Sequence, residues 1–172
     1  DTWKSRGLGD VYKRQVELAE GFSKSLDNRE KELNKMFPNT KVNFIKDDVK
    51  YYDFKNCSLV TSIFTLQFMS MKDRENIIKK IYNGLNVGGG FLFAEKLICT
   101  NAKLQEMMTF NYYDYKRKHF EAKDIMDKER TLRHMLKPNT WKEIKTMILN
   151  AGFQDVQCFW SNHLFVGALA IK

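Results

Sequence analysis

Apolar and polar positions along the chain repeat with two periods. Residues 41–45 alternate, with Val42 and Phe44 on one side, and predict a strand closed by Asp47 and Asp48. Residues 57–64 form a short apolar run interrupted only by Ser and Thr, which predicts a buried parallel strand. Ile77, Ile78, Ile81, Tyr82 and Leu85 then fall on one face of a helix over 73–85, and Asn86 to Gly90 reads as the turn that stops it. Residues 91–94 are the next buried strand, ending at Glu95. Upstream, 16–20 predicts a short strand. Ser23 opens a charged helix with Leu26, Leu33 and Met36 at helical spacing, which stops near Phe37 ahead of Pro38. Residues 101–133 read as two aromatic-rich helices. Asn139 caps a helix that Gly152 ends, and 154–160 with 163–171 form an antiparallel hairpin around Ser161 and Asn162.

Parallel β–α crossovers followed by a terminal antiparallel hairpin specify an α/β fold, the Rossmann-like sheet of the class I methyltransferase type. Residues 16–172 read as one domain without a linker or repeat. Residues 1–15 show neither period and look like a non-native leader from adapter read-through, so they are set aside from the fold. With native-looking sequence beginning near Val16, the first strand of the sheet and its glycine-rich turn are expected to be missing.

Composition narrows the class rather than the function. Of the residues, 43% are hydrophobic and 29% charged, as in soluble globular proteins, and no apolar run is long enough to span a bilayer. Cys57, Cys99 and Cys158 are scattered and odd in number, which points to reduced thiols and a cytoplasmic setting. The net charge of +8 is diffuse: Lys116, Arg117 and Lys118 are followed by Glu121, Asp124, Asp127 and Glu129, so no direct nucleic-acid contact is expected. No spacing of His, Cys or carboxylates suggests a metal site, and no nucleophile elbow is present.

The candidate chemistry lies at strand ends, where open α/β sheets bind ligands. Glu20, Asp48 and Glu95 are acids at such positions. A carboxylate after one strand can accept both hydroxyls of a ribose, and one after the next can accept from an adenine amino group. The usual companion, a glycine-rich turn, does not precede Val16. Gly88, Gly89 and Gly90 lie between a helix and a strand and do not replace it.

Phe64-Thr65-Leu66-Gln67-Phe68, then Lys80-Ile81-Tyr82-Asn83-Gly84-Leu85-Asn86 with Gly88-Gly89, and Glu95-Lys96 after the following strand resemble carboxy-S-adenosylmethionine synthases. Phe110, Lys116-Arg117, Lys128-Glu129-Arg130 and Ala151-Gly152-Phe153 fit the same pattern, and the likeness runs over residues 16–172.

The resemblance implies a transferase in which prephenate supplies a carboxyl group to the methyl carbon of S-adenosylmethionine, giving carboxy-S-adenosylmethionine and phenylpyruvate. A partner enzyme uses that product on tRNA wobble uridines. It implies a homodimer, with Glu20 and Gly21 at the ribose, Asp48 and Val49 beside the adenine, and Arg130 as the cation that the new carboxylate needs. Ile63 stands near the cofactor where the family has Asn. Because the glycine-rich turn is absent, weak or no cofactor binding is expected of this stretch alone. Two other readings remain open on the residues: a true methyltransferase on the same fold, and a non-catalytic domain that dimerises or binds RNA.

Overall fold

Strand β1 (Val11–Glu17) pairs in parallel with β2 (Thr40–Lys46), and helix α1 (Ser23–Met36) makes the crossover between them. The computed structural model describes residues 11–172, and the chain divides into two compact units, the first ending at Tyr52 and the second spanning Asp53–Lys172.

In the first unit β2 pairs with β1 alone among the described strands, and α1 bonds to further backbone groups of β2. The Asn34 side chain donates to the Val42 carbonyl at 3.0 Å and accepts from the Val42 N–H at 2.8 Å. Glu30 accepts from the Phe44 N–H at 2.7 Å. These bonds occupy backbone groups that an open edge would expose. Val42, 4% exposed, is the buried hydrophobic of the described residues here.

Two expectations change in this unit. The strand placed at 16–20 ends at Glu17, and Glu20–Phe22 form a turn of 3-10 helix leading into α1. The same strand starts at Val11, so the boundary drawn between residues 15 and 16 falls inside β1, where Gln15 pairs with Phe44 and Val16 with Ile45. Alternation is weak in this segment, which carries Lys13, Arg14 and Gln15, and the parallel ladder rather than an apolar face defines it. Residues 1–10 of the expected leader lie outside the described residues.

The second unit holds a four-stranded sheet in the order β3–β4–β6–β5. Strand β3 (Cys57–Ile63) is parallel to β4 (Leu85–Lys96), while β6 (Phe165–Ile171) is antiparallel both to β4 and to β5 (Asp155–Asn162). Helices α2 (Met71–Gly84) and α5 (Trp141–Ala151) cover one face. The core is made by Ile77, Ile78 and Ile81 of α2, Ile144, Met147 and Ile148 of α5, and Phe91 and Phe93 of β4. Opposite the two phenylalanines on β6 stand Ala170 and Ala168, both fully buried. Large side chains beside small ones leave the helices room to pack close to the sheet. Helices α3 (Ala102–Lys116) and α4 (Ala122–Arg133) are the expected pair inserted before α5.

Local predictions are corrected at four points. Helix α2 stops at Gly84, and residues 85–90 already belong to β4. A Cβ at Gly84 would collide with the Phe54 backbone, so the glycine that matters there is the one inside the helix end. Among the described residues only β4 pairs with β3, and Leu59 and Ile63 on β3 are exposed rather than buried. Thr140 rather than Asn139 caps α5, through a reciprocal capping box with Glu143. The hairpin turns at His163 and Leu164, two residues later than expected, with His163 left-handed at φ 51°.

Candidate cofactor site and its supporting residues

The end of β1 and the end of β2 form the walls of an open groove of about 570 Å³, lined by Glu17, Leu18, Ala19, Glu20, Ser23, Leu26, Lys46, Asp47 and Asp48. That volume lies within the range of small-molecule sites. The groove is shaped by backbone bonds to carboxylates. Glu17 accepts from the Ala19 N–H at 3.0 Å, Asp47 from the Asp48 N–H at 2.8 Å, and Asp48 from the Lys50 N–H at 2.9 Å. The Lys50 ammonium lies 3.2 Å from Asp48. Glu20, in the 3-10 turn, is exposed to the groove mouth.

Two acids predicted from the sequence, Glu20 and Asp48, are therefore brought into one concavity. Gly21 follows Glu20 at its rim, and nothing lies within 4 Å of where its Cβ would stand, so packing does not demand glycine there. Val49 is half-buried next to Asp48. An ionised carboxylate can accept hydrogen bonds but not donate them, so a groove with several of them suits a ligand rich in hydroxyl and amino donors. These acceptors suit the ribose hydroxyls and the amino group of a nucleoside.

The other two predicted site residues belong to the second unit. Ile63 is the last residue of β3 and is 52% exposed. Arg130, on α4, has a side chain 78% exposed and lies 3.4 Å from Asp127, one turn away on the same helix.

At the carboxyl ends of β3 and β4 the structure reveals a buried polar cluster of which the sequence singled out only Glu95. Phe64 leaves β3 in a left-handed conformation (φ 53°) and donates its N–H to the Ala94 carbonyl at 2.8 Å. The turn that follows buries Leu66 and Gln67. Gln67 accepts the Lys96 N–H on its side-chain oxygen at 2.8 Å and the Lys137 N–H on its carbonyl at 2.8 Å. Arg74, 3% exposed, donates to the Leu66 carbonyl at 3.1 Å and to the Lys137 carbonyl at 2.8 Å. One side chain thus ties the turn after β3 to the segment before α5.

Glu95 lies in the same cluster, 3% exposed, and neither carboxyl oxygen makes a hydrogen bond. Burial pushes its pKa up to about 7; the Arg74 charge and the backbone N–H groups of Leu66 and Gln67, which approach the carboxylate without reaching hydrogen-bond geometry, oppose that rise without cancelling it. A signal for the cluster was present in the periodicity. Arg74 continues the series 74, 77, 78, 81 on the apolar face of α2, and Glu95 continues 91, 93, 95 on the inner face of β4. A charge of either sign on a buried stripe requires a partner.

No family model matches the chain. Among curated proteins, the carboxy-S-adenosyl-L-methionine synthase of Staphylococcus epidermidis is 33% identical over 168 residues, covering 97% of this chain and 73% of that protein. The chain belongs to the carboxy-S-adenosyl-L-methionine synthase family. Proteins of the same name from Nautilia profundicola (37% identical, 77% of this chain) and Shewanella baltica (33% identical, 81% of this chain) are matched over 57% and 58% of their own lengths, so the chain spans little more than half of these relatives. Solved structures show the fold. An O-methyltransferase assigned in Nostoc punctiforme superposes with a TM-score of 0.62 at 16% identity, covering 92% of this chain and 43% of the other. Human N-acetylserotonin methyltransferase, in complex with S-adenosylmethionine, gives 0.55 at 14% identity, covering 95% and 47%. The sheet is that of the class I methyltransferases, as its strand pattern predicts. The matched members of the family are named for the synthesis of carboxy-S-adenosyl-L-methionine.

Proposed function

We propose that the protein to which this chain belongs makes carboxy-S-adenosylmethionine from S-adenosylmethionine and prephenate. In a balanced reaction, the bond from the prephenate ring to its carboxyl group breaks and the carboxyl group joins the methyl carbon. The methyl proton leaves with the ring hydroxyl as water, and the ring becomes aromatic as phenylpyruvate. The observation that carries this reading is family membership over nearly the whole chain, at 33% identity to a synthase of that name. The groove that joins Glu20 to Asp48 supports it, since it offers acceptors where an adenosine needs them.

In this proposal Glu20 and Gly21 hold the ribose, Asp48 and Val49 flank the adenine, Ile63 borders the cofactor, and Arg130 pairs with the new carboxylate. The product serves wobble-uridine modification of tRNA in the cytoplasm. The protein works as a homodimer, a state supported by the apolar stripe of Leu104, Met107 and Phe110 exposed on α3. Supplying both substrates and analysing the products by mass spectrometry tests the reaction. S-adenosylhomocysteine as the sole product, in the presence of a methyl acceptor, would favour a methyltransferase instead.

A further inference from the structure

On the face of β4 opposite Glu95, a lysine stands against a wall of rings. Side chains alternate along a strand, so Phe91, Phe93 and Glu95 face the α2–α5 core while Lys96 points the other way. Its cross-strand partner is Phe165 at the start of β6, and the Lys96 Nζ lies 5.9 Å from the centre of that ring. Phe64 packs edge-on against the same ring at 5.6 Å, and Tyr112 of α3 does so at 5.4 Å. Three separate elements, the turn after β3, α3 and β6, contribute one ring each.

The backbone beneath this wall is held firmly. Lys96 donates its N–H to Gln67 at 2.8 Å, and Phe64 donates to Ala94 at 2.8 Å. The lysine is half-buried, and among the described residues no carboxylate pairs with its ammonium. Lys116 provides the contrast. Its Nζ sits 4.3 Å from the centre of the Tyr112 ring but is already paired with Glu129 at 2.9 Å. A partly desolvated ammonium without an acid is suited to an anionic ligand, and the carboxyl ends of parallel strands are where such folds bind ligands.

We propose that Lys96 holds a carboxylate of the second substrate, while Phe64, Tyr112 and Phe165 take the face of that substrate's ring. The proposal rests on the carboxyl-transfer reading, in which the donor is a ring-bearing carboxylic acid. It assigns donor recognition to the second unit, at residues separate from the adenosine groove.

Lys96→Met, which keeps the aliphatic stem and removes the charge, tests this in the full-length protein with prephenate as the probe. The expected result is a rise of about tenfold or more in KM for prephenate, in line with loss of a charge-assisted hydrogen bond. The affinity for S-adenosylmethionine, measured by calorimetry, stays within about twofold, and Lys96→Arg recovers part of the loss. An unchanged KM for prephenate in Lys96→Met overturns the assignment. So does an equal loss of S-adenosylmethionine affinity, which would place the lysine on the amino-acid carboxylate of that ligand. Wild-type protein that makes no carboxy-S-adenosylmethionine sinks the carboxyl-transfer reading and this assignment together. Active wild type with an unaffected Lys96→Met sinks the assignment alone.

Discussion

Arg74 and Glu95 line one small cavity in the second unit, but only the arginine is hydrogen-bonded: its guanidinium donates to the Leu66 and Lys137 carbonyls, while both carboxyl oxygens of Glu95 lack a hydrogen bond. The pair is thus an incompletely matched charge in a core otherwise built from Ile77, Ile78, Phe91 and Phe93.

This mismatch makes stability depend on pH. Glu95 has its folded pKa raised to about 7 from 4.5, so the folded protein holds a proton that the unfolded chain releases between those values. The stabilisation is complete below about 4.5 and is lost as pH rises through about 7. Its size is about 3 kcal/mol, from the shift in pKa. Chemical denaturation of wild type and Glu95→Gln at pH 5 and pH 8 measures it. The wild type is expected to lose that amount relative to the variant, and parallel pH dependence in the two would contradict the assignment.

Removing the other partner costs its hydrogen bonds at every pH and costs most above about pH 7, where Glu95 is charged. Arg74→Met deprives the Leu66 and Lys137 carbonyls of their donor and leaves Glu95 without a compensating charge. The expected cost is about 3–5 kcal/mol, read as a lowered melting temperature. The effect should shrink in Glu95→Gln/Arg74→Met, because the buried carboxylate is then gone.

Much of the fold was legible because its signals are local. The stripe of Ile77, Ile78 and Ile81 defines α2, and alternation in 154–160 and 163–171 defines the hairpin. What escaped depends on distant partners. Residues 85–90 extend β4 because Leu59 pairs with Gly90 on one side and Ile171 on the other, which Gly88-Gly89-Gly90 as a local string cannot reveal. Strand β1 is defined by its ladder with β2, although Lys13, Arg14 and Gln15 give it no apolar face. In the groove, Asp48 follows the end of β2 as its position in the sequence suggests, whereas the strand expected to end at Glu20 ends at Glu17, and Glu20 reaches the groove from the 3-10 turn. Gln67 was not legible, since Lys96 and Lys137 lie far off in sequence, and Arg74 was marked only by its place on the apolar stripe of α2, not by its partners.

Helix α5 carries a test of the corrected cap. The Thr140 hydroxyl accepts from the Glu143 N–H at 3.2 Å, and Glu143 accepts from the Thr140 N–H at 2.7 Å. The Thr140 N–H and hydroxyl both donate to the Glu143 carboxylate and hold it below its usual range. Thr140→Ala should cost about 1 kcal/mol in chemical denaturation, whereas an Asn139 cap would make the substitution neutral.

At the other end of α5, Gly152 is left-handed (φ 112°), and an added Cβ would lie 2.8 Å from the Tyr82 ring. Gly152→Ala should therefore destabilise by more than about 1 kcal/mol, through backbone strain and a displaced ring. An unchanged melting temperature would count against this packing of Tyr82.

The groove of the first unit predicts separable effects on ligand binding. Asp48→Ala and Glu20→Ala should each weaken S-adenosylmethionine binding by the full-length protein about tenfold, as expected for loss of an acceptor to a donor-rich ligand. Lys24→Ala, on the same helix as Ser23 but outside the groove lining, should leave binding unchanged. Isothermal titration distinguishes these outcomes.

The most direct test of the central claim is mass analysis of the products when the full-length protein is given S-adenosylmethionine and prephenate. Carboxy-S-adenosylmethionine and phenylpyruvate appearing in equal amounts is the result the account predicts. Recovery of unaltered S-adenosylmethionine, with prephenate consumed no faster than in the absence of protein, would contradict it.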